Sequence, residues 1–342
     1  MENLRPSSTS PLIVAILGAG NMGVCLARAF SKVSGVAVKY VYSRTLSRAK
    51  SVADSVGALA VDRPELLFED KDVDVVTFCL PTDTRLDFLT RAVRAEKHIF
   101  CEKPLALDPQ MANDIRKLLN GYSKTVMVGH VLRFAWEFSH IRRIVQDDGL
   151  GRIGSIRMSR LVGYPGSDAW FTDSSRSGGI VLDLMIHDID FLLWTFGEVG
   201  QVYARLATET GMRKADYALV NLQLESGAVA HLEGSWAHPV GSFRQTIEVC
   251  GSKGLLQHDS ASSKPLTFLS TRELTGVPAS RISIPESDEA SDPYLAEVRH
   301  FVECVRSGRE PMVRWQEAIE ACEVAFLAIE SARQGVALRS KS

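Results

Sequence analysis

The six residues from Gly18 to Gly23 constrain this chain more than any other segment. They read Gly-Ala-Gly-Asn-Met-Gly, a G-x-G-x-x-G pattern. The apolar run 12–17 precedes them directly, and a stretch with helical spacing, 21–32, begins within them. A buried strand, a glycine turn and a helix in this order are typical of the first unit of a dinucleotide-binding sheet.

Each glycine of the pattern has a separate predicted task. Gly18 makes the tight turn, Gly20 lets the backbone approach a pyrophosphate, and Gly23 lets the helix pack closely on the strand. The pyrophosphate is expected at the positive amino end of the helix, beside Asn21 and Met22. The alternative is a glycine turn with a purely structural task.

Strand-like and helical segments alternate through residues 12–133, which predicts a doubly wound parallel sheet of the Rossmann type. Beyond residue 133, short segments with period-two alternation predict a second, α+β domain over 134–342 with a mainly antiparallel sheet. Helices at 180–196, 294–307 and 315–334 are expected to cover one face of that sheet. The polar residues 1–11 predict a disordered tail.

Composition excludes several classes of protein. The formal net charge is −2, which favours neither nucleic acid nor an anionic membrane as a partner. We find no apolar window of membrane-spanning length and no signal peptide, so we expect a cytoplasmic protein. The six cysteines form no C-x-x-C pair and are expected to be buried free thiols in a reducing compartment.

The end of the second predicted strand bears on the choice of cofactor. NAD enzymes usually place an acidic residue there for the ribose 2′-hydroxyl. Here the strand is followed by Ser43 and Arg44, with Arg48 one helical turn on. A carboxylate would repel a 2′-phosphate, whereas Ser and Arg side chains donate hydrogen bonds to it. This pattern favours NADP(H); the alternative is that Arg44 stacks on the adenine and leaves the choice open.

Two segments carry candidate catalytic groups. Glu102-Lys103-Pro104 follows a predicted strand at the edge of the sheet where ligands bind, although the tripeptide alone also fits a surface turn. Asp183 and His187 are four residues apart, so we expect them on one helix face, which Asp190 continues. General acid–base catalysis by His187 is one interpretation. A metal site and a buried hydrogen-bonded pair are the alternatives.

These segments together resemble the glucose–fructose oxidoreductase, inositol dehydrogenase and rhizopine catabolism (Gfo/Idh/MocA) family, over almost the whole chain. The resemblance rests on the glycine loop, Leu80-Pro81-Thr82, Glu102-Lys103-Pro104, and the stretch from Gly178-Gly179 through Asp183 and His187 to Asp190.

The resemblance implies a role for each matching residue. Lys103 would contact nicotinamide and substrate and stabilise a developing alkoxide, and its bond to Pro104 would be cis. His187 would exchange the proton of the reacting hydroxyl. Asp183 would bind a substrate hydroxyl and bias His187 toward its protonated form. Glu102 would contact the cofactor ribose, and Leu80, Pro81 and Thr82 would line the cofactor's path.

The chain departs from the family pattern at two positions. Arg85 stands where many relatives carry a histidine, four residues after the proline that matches Pro81, and Ser43 replaces the usual acid. Candidate substrate ligands besides Lys103, Asp183 and His187 are Arg133, Tyr164, Trp170, Phe171, Trp236 and His238. For each aromatic residue, packing in the core or an interface is the alternative.

The sequence therefore predicts an NAD(P)-dependent oxidoreductase that moves a hydride between nicotinamide and a carbinol or carbonyl carbon of a sugar, inositol or related polyol, without a metal. NADP(H) is favoured over NAD(H), and an unphosphorylated substrate over a phosphorylated one. We expect a homodimer or homotetramer formed through the C-terminal sheet. A non-catalytic NAD(P) sensor, or a reductase of a non-sugar carbonyl or dihydrodiol, is the alternative; retention of Lys103, Asp183 and His187 favours the enzyme.

Overall fold

The computed structural model contains two β-sheets joined by helices. The residues that it describes are 10–163, 170–207, 216–262, 265–270, 282–283 and 292–340. Most of the predicted tail lies outside them. None of the described helices combines the length and apolar composition needed to cross a lipid bilayer.

The first sheet has six parallel strands in the order β3-β2-β1-β4-β5-β6. They are β1 (Leu12–Leu17), β2 (Val36–Tyr42), β3 (Leu59–Val61), β4 (Val75–Phe78), β5 (His98–Glu102) and β6 (Val126–Gly129). Strands β1, β4 and β6 are buried along nearly their whole length, which explains their largely apolar sequences. The predicted doubly wound sheet is confirmed, and its strand order reverses between β1 and β4.

Five helices flank this sheet: α1 (Asn21–Ser31), α2 (Leu46–Val56), α3 (Glu65–Glu69), α4 (Arg85–Arg94) and α5 (Pro109–Leu119). Each buries one apolar stripe. On α1 that stripe includes Phe30, whose ring meets Phe100 of β5 edge-on at 6.1 Å. On α5, the Asp108 carboxylate accepts a hydrogen bond from the Met111 backbone and Pro109 occupies the first turn, which fixes where the helix begins.

The second sheet has nine described strands in the order β14-β13-β12-β11-β7-β10-β9-β8-β15. They are β7 (Ile153–Gly163), β8 (Val199–Ala207), β9 (Tyr217–Leu224), β10 (Val229–His238), β11 (Phe243–Gly251), β12 (Gly254–Asp259), β13 (Leu266–Ser270), β14 (Ile282–Ser283) and β15 (Leu338–Arg339). Among these strands only β7 and β10 pair in parallel. The expectation of a mainly antiparallel sheet is confirmed.

The remaining helices are α6 (Trp136–Gln146), α7 (Ser174–Ser177), α8 (Gly179–Asp183), α9 (Ile186–Phe196), α10 (Pro293–Ser307) and α11 (Trp315–Gln334). The single helix predicted over 180–196 is wrong. The backbone N–H groups of Leu184 and Met185 both donate to the Ile180 carbonyl at 3.0 Å. The backbone hydrogen bonds therefore change from i→i−4 spacing at Leu184 to i→i−5 spacing at Met185, and this irregularity separates α8 from α9.

Helix α10 corrects a second expectation, because it does not lie on the C-terminal sheet. It packs against α1 and against the short 3-10 turn Val131–Phe134 that follows β6. The Phe301 ring meets Phe100 of the first sheet at 5.4 Å, and the Arg306 guanidinium donates to the carbonyls of Ser34 and Gly35. A segment from the end of the chain thus completes the packing of the N-terminal sheet.

Two buried arginines fix the position of α9. Arg133, after β6, donates to both oxygens of Asp190 at 2.6 and 3.0 Å, and it also binds Glu317 of α11 at 2.8 Å. Arg160 of β7 donates to both oxygens of Asp188 at 2.8 Å. Because Arg133 follows one sheet and Arg160 belongs to the other, α9 is bound to both.

The cysteine prediction holds for half of the thiols. Cys101, Cys304 and Cys322 are buried and Cys250 is exposed, while Cys25 and Cys79 are partly exposed. All six are free, and Cys250 lies on the solvent-facing side of β11, where alternate residues point outward.

Removing the Arg133 side chain should destabilise the protein strongly. Arg133→Met leaves the Asp190 carboxylate buried without its partner, and we expect a loss of about 3–5 kcal/mol in the free energy of unfolding by urea denaturation. Arg116→Met is the matched control, because Arg116 also binds a carboxylate on both oxygens, that of Glu323, but at the surface. Its loss should be about 0–1 kcal/mol. Equal losses of unfolding free energy in the two variants would contradict the claim that Arg133 neutralises a buried carboxylate.

Candidate active site

The glycine turn lies at the carboxyl ends of β1 and β4, where the strand order reverses. Gly18 has a φ of +117°, and a Cβ placed on it would lie 2.3 Å from the Cys79 carbonyl oxygen. A Cβ on Gly23 would lie 1.9 Å from the Gly18 carbonyl oxygen. A Cβ on Gly20 would meet nothing within 4 Å. Two of the glycines are therefore required by the fold, while Gly20 faces open space.

The amino end of α1 is suited to an anion. Gly20 is its N-cap residue, so no side chain caps the helix. The first N–H groups of a helix have no intrahelical acceptor, and they carry the positive end of its dipole. A dinucleotide pyrophosphate fits this position, because the helix supplies donors and Gly20 leaves room for close approach.

A cavity of about 250 Å³ extends from the glycine turn along the ends of β2 and β4. Its lining residues are Gly18, Ala19, Gly20, Tyr42, Ser43, Arg44, Arg48, Cys79, Leu80, Pro81, Thr84, Phe88, Trp170 and Arg176. The structure therefore brings together most of the residues predicted to bind the cofactor. Thr82 is not among them, since its side chain is fully buried, and the other predicted cofactor residues outside the lining are Asn21, Met22, Gly23, Glu102 and Lys103.

Arg176 is a lining residue that the sequence did not reveal. It belongs to α7, far from the glycine turn in sequence, and its guanidinium binds the Asp83 carboxylate at 2.9 Å. Together with Arg44 and Arg48 it gives this cavity three guanidinium groups, and its lining among the described residues includes no carboxylate. The Ser43 hydroxyl accepts a hydrogen bond from the Thr45 backbone at 3.2 Å.

Lys103 reaches from the end of β5 to the end of α8. Its Nζ donates to the Asp183 backbone carbonyl at 2.7 Å and lies 3.5 Å from a carboxylate oxygen of the same residue. Both side chains are less than a fifth exposed. The Lys103–Pro104 peptide is cis, as expected. An ammonium group and a carboxylate thus face one another at the carboxyl edge of the first sheet.

His187 lies in the first turn of α9, close to this pair. Burial lowers the pKa of His187 well below its ordinary value, and the positive charges of Lys103 and Arg160 lower it further. The imidazole is therefore neutral near pH 7, and its Nδ1 has no hydrogen-bond partner among the described residues. The expected bias of His187 toward its protonated form by Asp183 is not found, because the Asp183 carboxylate faces Lys103.

The predicted metal alternative is not supported by the arrangement. Both carboxylate oxygens of Asp190 accept hydrogen bonds from Arg133. Among the residues that the structure describes, no group of three His, Cys, Asp or Glu side chains is placed to hold a metal ion.

Glu102 is buried directly before Lys103. Burial raises the pKa of Glu102 to about 7, an effect that the charges of Lys103 and Arg85 partly offset. Arg85 itself is 2% exposed, and one of its nitrogens donates to the Leu80 carbonyl at 3.0 Å. The residue that departs from the family pattern thus binds the backbone of Leu80, a residue of the cavity lining, and its charge lowers the pKa of Glu102.

The outcome for four predicted substrate residues can be stated. Arg133 is 2% exposed and bound on several sides by protein groups, so we no longer propose it as a substrate ligand. Trp236 is 3% exposed and packs against Phe171 at 6.3 Å, which favours the packing alternative. Tyr164 lies outside the described residues. Trp170 remains a candidate, and it borders the cofactor cavity.

The two halves of the chain match models of one protein family. Residues 12–130 match an oxidoreductase family model with an NAD-binding Rossmann fold, and residues 138–257 match the GFO/IDH/MocA C-terminal domain. The chain belongs to the Gfo/Idh/MocA family of oxidoreductases. The predicted family is therefore confirmed, and the first sheet is an NAD-binding Rossmann domain.

Individual relatives cover nearly the whole chain. Inositol 2-dehydrogenase of Rhizobium meliloti is 30% identical over 322 residues, 92% of this chain and 95% of the relative. Myo-inositol 2-dehydrogenase of Thermotoga maritima is 28% identical, covering 93% and 95%. The structure of levoglucosan dehydrogenase with NADH and L-sorbose superposes with a TM-score of 0.89 at 18% identity, covering 98% of this chain and 100% of that one, so this likeness concerns the fold.

Of two alanine substitutions in the glycine turn, one should lower dinucleotide affinity and the other should lower stability. The backbone of Gly20 is extended and a Cβ there would contact nothing, so the free energy of unfolding of Gly20→Ala should stay within about 1 kcal/mol of wild type. Dinucleotide affinity, measured by quenching of tryptophan fluorescence, should fall at least tenfold, because the methyl group occupies the pyrophosphate position. Gly23→Ala should instead cost about 1–3 kcal/mol of stability, because its methyl group overlaps the Gly18 carbonyl. Wild-type dinucleotide affinity in Gly20→Ala would contradict the assignment of the pyrophosphate to the amino end of α1.

Proposed function

We propose that this chain is an NAD(P)-dependent dehydrogenase or reductase that acts on a CH–OH group of a sugar, inositol or related polyol. The observation that carries the proposal is the meeting of Lys103, Asp183 and His187 at the carboxyl edge of the Rossmann sheet. The names of the two inositol dehydrogenase relatives support the substrate class.

His187 and Lys103 act on the reacting hydroxyl group in ways that follow from their charge states. Neutral His187 takes the proton of the reacting hydroxyl during oxidation and returns it during reduction. The Lys103 ammonium donates to the same oxygen and stabilises the developing alkoxide. The bound nicotinamide supplies or accepts the hydride.

Asp183 has two tasks in this proposal. Its backbone carbonyl and carboxylate orient Lys103, and its carboxylate accepts a hydrogen bond from a neighbouring substrate hydroxyl. An ammonium donor beside a carboxylate acceptor matches adjacent hydroxyl groups, which is the chemistry that polyols present. Trp170, which lines the cofactor cavity, supplies an aromatic face for the substrate in this proposal.

We propose further that the cofactor is NADP(H), with NAD(H) as the alternative. Its pyrophosphate would lie on the turn from Gly18 to Gly23, including the backbone of Asn21 and Met22, with Leu80 and Pro81 along its path and Glu102 at the ribose. Arg44, Arg48 and Arg176 line the other end of the cavity, and Ser43 takes the place of the usual acid. The positive charges of Arg44 and Arg48 would attract a 2′-phosphate, whereas the charge of Arg176 is shared with Asp83.

The oligomer and the domain boundary are also proposals. One face of the C-terminal sheet bears exposed apolar side chains on two neighbouring strands, Leu219 on β9 and Val229 on β10. Such a face favours pairing with a second copy as a homodimer or homotetramer. We place the boundary between the Rossmann domain and the α+β domain at residue 133, with α10 returning to the first domain.

A non-catalytic cofactor sensor of the same fold is the competing function. A sensor requires the glycine turn and the cavity. Cofactor binding alone does not require a buried lysine paired with an aspartate beside a neutral histidine. The positions of Lys103, Asp183 and His187 therefore favour the enzyme over the sensor. A reductase of a non-sugar carbonyl would share the lysine, and it differs from the proposal only in its substrate.

Substitutions of the two catalytic residues should change turnover in different ways. Lys103→Met should lower kcat at least about 10²–10³-fold at every pH, because the donor to the alkoxide is lost. His187→Gln should remove the acidic limb of the kcat–pH profile for oxidation, since the proton acceptor is gone. In the wild type that limb should lie below the ordinary histidine pKa, because protonation of buried His187 is disfavoured.

Lys117→Met, in the exposed part of α5, is the matched control for Lys103 and should leave kcat unchanged. Cofactor binding should remain measurable in every variant. Turnover at the wild-type rate in Lys103→Met would refute the lysine's role, and an unchanged acidic limb in His187→Gln would assign the proton to another base.

Cofactor preference should depend on the arginines of the cavity. Arg48→Ala should weaken NADPH at least about tenfold and NADH by less than twofold, because a charged hydrogen bond to the 2′-phosphate is worth about 1.5–3 kcal/mol. Ser43→Asp should shift preference toward NADH. Arg28→Ala, on the exposed side of α1, is the control. Equal effects on the two cofactors would overturn the NADP(H) assignment.

A further inference from the structure

The cofactor cavity has two walls that come from different parts of the chain. One wall is the Rossmann domain, with the glycine turn, the ends of β2 and β4, and the start of α4. The other wall consists of Trp170 and Arg176. These two residues belong to segment 170–177, which we call the strap and which contains the 3-10 turn Trp170–Thr172 and helix α7. A dinucleotide in the cavity would therefore lie between the Rossmann domain and the strap.

Both ends of the strap are joined to the C-terminal half of the chain. At its beginning, the Phe171 ring packs against the buried Trp236 ring of β10, with 6.3 Å between the ring centroids. At its end, Gly178 and Gly179 connect α7 to α8, with φ angles of +79° and +75°. Two successive glycines in the left-handed region allow a sharp turn that other residues rarely adopt. The strap thus connects the C-terminal sheet to the helix that ends at Asp183.

An ion pair joins the strap to the Rossmann domain. The Arg176 guanidinium donates to the Asp83 carboxylate, with 2.9 Å between Nε and Oδ2. Asp83 lies in the 3-10 turn Thr82–Thr84 after β4, and α7 packs against this turn. Asp83 itself does not line the cavity, so its carboxylate acts on the strap. The two side chains are 32% and 30% exposed, so water can compete for the pair and the pair can open.

We propose that Asp83 is a positioning residue that holds the strap across the cofactor cavity through Arg176, so that the dinucleotide enters and leaves only when this ion pair opens. The inference rests on the proposed function, because it requires a dinucleotide in the cavity. Because both partners are protein groups, the pair does not depend on a bound dinucleotide, and it slows entry as well as release. Closure of a segment over a bound ligand commonly controls how fast the ligand exchanges.

A direct role of Arg176 as a cofactor ligand predicts a different outcome when Asp83 is changed. If Asp83 only shares the charge of Arg176, its removal frees the guanidinium for a phosphate of the cofactor. Loss of a negative charge beside an anionic ligand also strengthens binding by itself. Both effects slow the release of the dinucleotide, whereas loss of the ion pair that holds the strap speeds it. The sign of the change in the dissociation rate constant therefore separates the two roles.

The test is a stopped-flow measurement of NADPH binding and release with the full chain. The protein–NADPH complex is mixed with excess NADP⁺, and release is followed by the loss of energy transfer from tryptophan to NADPH. Asp83→Asn should raise both the dissociation and the association rate constant about two- to fivefold, the factor expected for one partly exposed ion pair, so that Kd changes by less than about twofold. If NADH binds more tightly than NADPH, the same measurement is made with NADH and NAD⁺.

Asp87→Asn is the matched control, because it removes the same charge from a nearby position. The Asp87 carboxylate is paired with Arg91 of its own helix, α4, so this substitution breaks no contact with the strap. Release of NADPH from Asp87→Asn should be no faster than from wild type. Asp83→Glu keeps a carboxylate for Arg176 and should retain both wild-type rate constants.

Arg176→Gln completes a double-mutant cycle with Asp83→Asn. Release from the double variant should be no faster than from Arg176→Gln alone, because both substitutions break the same pair, and additive effects would contradict the inference. Slower release and a lower Kd in Asp83→Asn would overturn it and make Arg176 a direct ligand of the cofactor. An equal rise of the dissociation rate constant in Asp87→Asn would overturn it as well.

The failure of this inference can be told apart from the failure of the proposed function. If the wild type binds neither NADP(H) nor NAD(H), the proposed function itself fails, and the inference fails with it. Normal binding by the wild type, together with wild-type rate constants in Asp83→Asn, refutes the inference alone.

Discussion

The bidentate pair of Arg133 and Asp190 is the interaction on which the site depends. It joins the turn after the last Rossmann strand to α9, and Arg160 binds the neighbouring Asp188 from the other sheet. His187 lies one residue before the first of these aspartates. Because burial of both charges offsets much of their attraction, the pairs contribute little net stability; what they contribute is the position of the helix.

This arrangement also explains the charge state of the site. The positive charge of Arg160 close to His187 lowers the pKa of His187, as does Lys103, so that the imidazole is neutral where a base is needed. Asp183 lies on α8, before the i→i−5 hydrogen bond of Met185, and this break lets its carboxylate face Lys103 instead of the histidine. Asp188 and Asp190 fix the position of α9, whereas Asp183 orients Lys103.

Short sequence patterns were sufficient to predict the alternating strands and helices of the Rossmann sheet. Unbroken apolar strands and the glycine turn identify the Rossmann sheet, because both patterns arise from neighbours in sequence. The short strand Leu59–Val61 was missed, since three residues are too few to show a period. The break between α8 and α9 was missed because no proline or glycine marks it.

The partners of side chains were much harder to predict. Arg133 was expected to bind substrate, since a lone arginine after a strand gives no hint of Asp190 and Glu317. Arg176 reaches the cofactor cavity from the other half of the chain, and Phe301 of α10 packs against Phe100 of the first sheet. These contacts link residues that are distant in sequence, and only the assembled structure reveals them.

The most direct test of the account is transfer of deuterium from substrate to cofactor. The full chain is incubated with NADP⁺ or NAD⁺ and a panel of inositols and unphosphorylated sugars that carry deuterium at the carbinol carbons, and the reduced cofactor is weighed by mass spectrometry. The account predicts at least one polyol whose deuterium appears in the cofactor. Cofactor binding without transfer from any polyol would contradict the proposed dehydrogenase and favour the sensor.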